Sequence, residues 1–281
     1  MRGRHAALIS TLALCVACGR DTTAPQTQQG TAPGEPRTAK TVALESGANL
    51  MQGQGPVGQI AMHLVGFHPA KSDPALQMES HHFCNQVNQD FAQCVLYDGD
   101  TSSARLHGIE YIISEKLYAS LPAAERPYWH PHNYEILSGT LRLPNLPDAA
   151  EDAALRDKMN SYGKTWHVWK TGVYGQEPDA LPLGPAHLAW SFNHDGEAVP
   201  GMVAARDQRM GVRSADARRR REPLAALARP QGGVDAMRGQ FANAAAALQG
   251  VRDNGDATTG AVPHVTLQDP NAAAPRSGLR R

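Results

Sequence analysis

Histidines are the residues through which this sequence could do chemistry, and ten of its 12 lie between Met62 and Asp195. They come in groups: His63 and His68 flank Gly66-Phe67, His81-His82 runs into Cys84, His107 precedes Glu110, His130 and His132 precede Glu135, and His167 follows Lys164. Neutral imidazole, thiolate and carboxylate are the usual ligands of zinc and related divalent transition metals, because a borderline cation accepts both nitrogen and soft sulfur. His81, His82, Cys84, His130, His132 and Glu135 therefore form a candidate metal site. Extended backbone puts His130 and His132 on one face, and helical backbone would do the same for His81 and Cys84.

Two other uses compete with a metal. Buried imidazoles serve as hydrogen-bonding struts between strands, the simpler reading where no paired Cys-x-x-Cys or His-Glu-x-x-His spacing is present. Alternatively, His167 could exchange protons with a small ligand, assisted by Lys164 or Glu110 between Trp166 and Trp169. The run His130-Pro131-His132-Asn133-Tyr134-Glu135 with Gly139 resembles the metal motif of cupin barrels, but with shorter gaps. Gly163-Lys164-Thr165 ends like a phosphate loop, yet Lys158 stands where that loop needs its first glycine. A Gly-x-Ser-x-Gly nucleophile elbow is also absent from the sequence.

Cys84 and Cys94 have three open fates: a disulfide, a metal thiolate, or two buried apolar-like thiols. In an oxidising compartment a disulfide between them would contribute about 2–3 kcal/mol.

The elements that must position these groups read as an α+β fold, a single domain of mixed, mainly antiparallel strands with short helices, over residues 57–212. All four Trp and seven Tyr fall within it, and large apolar side chains mark where a core can form. Phe91 to Tyr97 before Asp98-Gly99, Leu106 to Ser114, Thr165 to Lys170 and His187 to Phe192 read as strands. Tyr134 to Leu137 and Thr140 to Leu143 flank Ser138-Gly139 as a hairpin would. Ser114 can cap a short helix ahead of Pro122. Asp148 with Glu151 reads as a capping pair for a helix that Gly163 ends.

Outside that domain the chain changes character. Arg2, Arg4 and His5 precede an apolar run from Ala6 to Ala17, the pattern of a signal peptide over residues 1–17. The run is shorter than the roughly 20 residues a bilayer span needs. Leu14-Cys15-Val16-Ala17-Cys18-Gly19 resembles a bacterial lipobox with Cys18 as the acylated residue, so membrane lipid is the expected partner. Residues 18–56 read as a lipid anchor and disordered tether. Residues 213–281 read as an Arg- and Ala-rich tail, helical or disordered. Its basic stretch reads as a solvated helix face or flexible tail, with contact to anionic lipid headgroups as the alternative, and Met237, Phe241, Ala244, Leu248 and Val251 line one amphipathic helix at about 235–252. With 27 basic against 27 acidic residues, the balance offers nothing for bulk nucleic-acid binding.

Seven segments together resemble the oil body-associated protein family. They are His63 to His68, Met78 to Cys84, Gln93 to Asp98, Arg105 to Glu115, Trp129 to Glu135, Tyr162 to His167 and Leu181 to Gly184. The resemblance spans about residues 60 to 213 and implies a lipid-surface or structural role rather than a reaction. Plant members are cytosolic and carry the same two cysteines, which weighs against an obligatory Cys84–Cys94 disulfide. The leader and the Arg-rich extension depart from the plant pattern. The expectation is an exported, lipid-anchored, non-enzymatic protein of the bacterial cell envelope acting at a lipid surface, with a metalloprotein built on the clustered His, Cys and Glu residues as the alternative.

Overall fold

The computed structural model describes residues 33–243 and 245–256. The expected signal peptide, the lipobox-like run and Cys18 lie outside the described residues, as do residue 244 and the chain beyond residue 256.

Among the described residues one seven-stranded sheet organises the fold. Its strands are β1 (Met62–Ala70), β2 (Asp73–Asn88), β3 (Phe91–Tyr97), β4 (Leu106–Ile113), β5 (His130–Pro131), β6 (Tyr162–His167) and β7 (His187–Leu188). They run in the order β1-β2-β3-β4-β6-β5, with β7 on the far edge of β6 beside β5, and every pairing is antiparallel. Period-two alternation decides which side chains face inward. In β3, Ala92, Cys94 and Leu96 are buried while Gln93 is exposed.

The sheet curls until its ends meet. Ala70 bridges Ala189, the Lys71 amide donates to the Leu188 carbonyl at 2.8 Å, and the Trp190 amide donates to the Pro69 carbonyl at 2.8 Å. Closure gives the sheet an inside, towards which Leu64, His82, Cys84, Cys94 and Glu110 project, and it satisfies edge groups that would otherwise be open to pairing.

Among the described residues there are six short α-helices: α1 (Ala39–Met51), α2 (Glu115–Ala119), α3 (Asn133–Leu137), α4 (Asp148–Asp157), α5 (Met202–Met210) and α6 (Ser214–Arg221). No helix of the described residues is long and apolar enough to cross a membrane. Ser114 caps α2 as expected, its hydroxyl accepting from the Leu117 amide at 3.3 Å.

Several expectations are corrected. The hairpin at Ser138-Gly139 is instead the end of helix α3, where Gly139 adopts φ +77°, the left-handed stop that glycine supplies best. Helix α4 is present, but Pro147 occupies its N-cap and Glu151 turns inward to Arg142 and the Leu143 amide; the helix ends at Asp157, and Gly163 lies in β6. β6 stops at His167, and the expected last strand is regular only over His187–Leu188, with Ala189 and Trp190 making isolated bonds beyond it. The supposed tether contains the exposed helix α1, capped by Thr38.

The largest correction concerns the tail. The amphipathic helix at 235–252 does not form; its described residues run as turns and irregular chain. Leu224, Ala228, Val234 and Val251 nevertheless join Phe67, Ile136, Leu155 and Met202 in the main core, so the domain does not end at residue 212. The arginine stretch is not simply a solvated face either. Arg206 and Arg221 are wholly buried, and Arg221 pairs with Glu151 at 2.9 Å and Asp152 at 2.8 Å while donating to the carbonyls of Ile136 and Leu141. A buried guanidinium needs that many partners, and a one-dimensional count of arginines cannot reveal them.

Candidate metal centre

The centre is built around Glu110. On β4 this residue faces inward in register with Cys94 of β3 and Thr165 of β6, and it is 2 % exposed. Its Oε2 lies 2.8 Å from His82 Nε2 and 3.9 Å from His68 Nε2. Its Oε1 lies 3.4 Å from His132 Nε2 and 3.7 Å from His130 Nε2. Four imidazoles from β1, β2, β5 and the residue leading into α3 thus present the same ring nitrogen to one carboxylate. His68 and His82 with Glu110, and His130 and His132 with Glu110, each place their ligand atoms within 4.8 Å of one another.

The sheet geometry explains the convergence. Cross-strand partners share a face, and closure brings inward-facing β1 opposite β5 and β6. Space for the cluster comes from glycine: a β-carbon at Gly163 would sit 2.6 Å from His130 Nε2 and against the Glu110 carboxylate, and one at Gly108 would meet the Trp166 carbonyl at 2.5 Å.

A further layer holds the rings. His132 Nδ1 is 2.8 Å from Ser161 Oγ, and His68 Nδ1 is 3.2 Å from His167 Nε2. His167 in turn packs edge-on to His107, with ring centroids 4.6 Å apart. Fixing one ring nitrogen selects the tautomer that leaves the other free to bind, the usual role of groups behind a metal ligand. Both nitrogens of His130 and Nδ1 of His82 are buried without a hydrogen-bond partner.

Electrostatics favours the ligand forms. Burial pulls His68 well below the ordinary imidazole pKa and His130 down to about 3, keeping them neutral. Burial alone would raise Glu110, but the neighbouring His82, His132 and His130 outweigh it and hold the carboxyl well below its usual range. Glu135 is pushed well above its usual value by burial and then by the charge of Glu110. Neutral His68 and His130 beside an ionised carboxylate suit a divalent cation.

The expected metal set is therefore revised. His82, His130 and His132 converge, and His68 and Glu110 join them; Glu135 lies in the adjoining cavity. His81 sits next to inward-facing His82 and so points to the other face, with Nε2 3.2 Å from Glu79 and Nδ1 3.1 Å from His63 Nε2. Cys84 is bonded to Cys94, which leaves no thiolate to coordinate. Of the acid–base set, His167 stays on the inward face with Glu110, reached through His68, while Lys164 leaves it. Lys164 and His167 occupy opposite faces of β6, and the Lys164 ammonium pairs with Glu125 at 2.6 Å. Sequence reasoning read Gly163 as a helix end and so missed that it makes room for His130 and Glu110; no local signal between Tyr162 and Lys164 reveals that role.

Comparison with known proteins places these observations in a family. The family model described as "Protein of unknown function (DUF1264)" matches residues 54–225. Oil body-associated protein 2A of Arabidopsis thaliana is 40% identical over 182 residues, covering 64% of this chain and 72% of the relative. Oil body-associated protein 1A of Zea mays is 36% identical over 202 residues, covering 72% of this chain and 82% of the relative. No solved structure matches. With its motifs falling on the sheet that builds the centre, the chain belongs to the oil body-associated protein family.

Proposed function

We propose that this protein binds a divalent transition metal and works at a lipid interface. One observation carries the metal half: four buried imidazole Nε2 atoms surround the single Glu110 carboxylate within 3.9 Å. Structural hydrogen bonding explains this cluster less well, since His68 and His130 stand 3.9 and 3.7 Å from the carboxylate, beyond hydrogen-bond reach, and both ring nitrogens of His130 are left without a hydrogen-bond partner. A cation on Glu110 would take either histidine pair, His68 with His82 or His130 with His132, as its neighbouring ligands. Elemental analysis of protein purified without an affinity tag tests this half. About one transition-metal ion per chain is expected, and none bound even after incubation with zinc, manganese or iron salts sinks it.

The lipid half draws on two supports. Relatives carry the name oil body-associated protein. On the outer face of the sheet, Phe83, Val95, Ile109 and Trp166 stand in one cross-strand row, with Ile109 40% exposed. A continuous apolar patch of that kind suits an interface better than water. Acylated Cys18 would hold the domain beside a membrane in the cell envelope. Cys18→Ser should move the protein into the soluble fraction, and unchanged membrane association would remove the anchor from the account.

A further inference from the structure

A narrow slot leads from the surface to the Glu110 centre, with a cavity volume of about 90 Å³. Its walls are apolar: Leu64, Ala92 and Ile112 on the sheet, facing Ile136, Leu141 and Leu155 from the helical side. Exposure falls along its length. Met62, 41% exposed, and Gln86 and Lys158 stand at the rim, whereas His68, His82, Glu110 and His132 form a buried floor.

Charge is distributed unevenly along this path. Lys158 is the one lysine or arginine lining the slot; its Nζ donates to Gln86 Oε1 at 2.6 Å, and no described carboxylate forms an ion pair with it. At the floor, the ionised Glu110 repels an incoming anion as long as no cation is bound there.

We propose that the slot takes a long single-chain carboxylate, a free fatty acid, with its carboxylate on Lys158 at the rim and its hydrocarbon chain running inward to the Glu110 centre. The apolar walls supply the affinity, at about 0.8 kcal/mol for each methylene buried, and the lone rim cation sets the direction of entry. Burial lowers the Lys158 pKa, a cost that an anion alongside would offset. The inference rests on the metal reading only for what the chain meets at its inner end.

The test is equilibrium binding of oleate and of methyl oleate to full-length protein whose metal content has been measured. Saturable one-to-one oleate binding is expected. Lys158→Glu should weaken oleate roughly tenfold while leaving methyl oleate nearly unchanged. Ala154→Trp, which fills the slot from α4, should abolish binding of both, with folding checked by circular dichroism. Absence of saturable oleate binding overturns the proposal, as does oleate uptake that appears only with phospholipid vesicles or a Lys158→Glu effect that is equal for acid and ester. Metal-loaded protein that ignores oleate defeats this inference alone, whereas oleate binding by a chain that takes up no metal upholds the slot and defeats the metal reading.

Discussion

Gly163 faces His130 across the β5–β6 pair so closely that a β-carbon at position 163 would come within 2.6 Å of His130 Nε2. A single methyl group therefore separates a formed centre from a displaced one. Gly163→Ala should cost about 1–3 kcal/mol as an overpacked buried site and reduce bound metal in the same preparation. Gly47→Ala is the control: Gly47 lies in exposed helix α1 with nothing near its missing β-carbon, so the change should be neutral or stabilise by about 0.5–1 kcal/mol. Thermal melts with elemental analysis of both variants check the pair.

Arg221 ties the Arg-rich segment to the domain. Its guanidinium is wholly buried against Glu151 and Asp152. Removing one partner of such a buried pair typically costs about 3–5 kcal/mol, and Arg221→Ala is expected in that range by urea unfolding. Arg219, 71% exposed beside Asp216, should change stability by no more than about 0.5 kcal/mol when replaced by Ala. Equal effects at the two positions would mean that the tail is not packed as described.

Glu79 supplies an acid-sensitive contact on the opposite face of β2. It accepts from Tyr174 at 2.8 Å and pairs with Arg209 and His81. Burial alone would raise its pKa, but hydrogen bonds from His81 and Arg209 and the Arg209 charge lower it from 4.5 to about 2. Because the folded value is depressed, the stabilisation is complete above the unfolded pKa and is lost as pH falls from about 4.5 towards 2, amounting to roughly 3 kcal/mol. The stability gap between wild type and Glu79→Gln should therefore shrink across that window. A gap independent of pH in urea titrations would contradict the pairing.

The sequence was most legible where local rules suffice. Strands Phe91–Tyr97 and Leu106–Ile113 and the Ser114 cap follow from alternation and capping chemistry alone. Residues 235–252 mislead because helical spacing of apolar residues also suits an irregular segment whose apolar side chains drop into the core, as Met237 and Val251 do. The centre was half visible. Residue types pointed to His82, His130 and His132, but choosing His68 and Glu110 over His81 and Cys84 depends on strand register and sheet closure, which are long-range facts.

X-ray absorption at the metal edge of the loaded protein tests the central claim most directly. A first shell of nitrogen and oxygen at about 2.0–2.2 Å with several imidazoles and no sulfur is predicted, and Glu110→Gln should alter that spectrum. A shell containing sulfur at about 2.3 Å, or a spectrum indistinguishable between wild type and the Glu110 and His82 variants, would contradict the assignment of the metal to His68, His82, His130, His132 and Glu110.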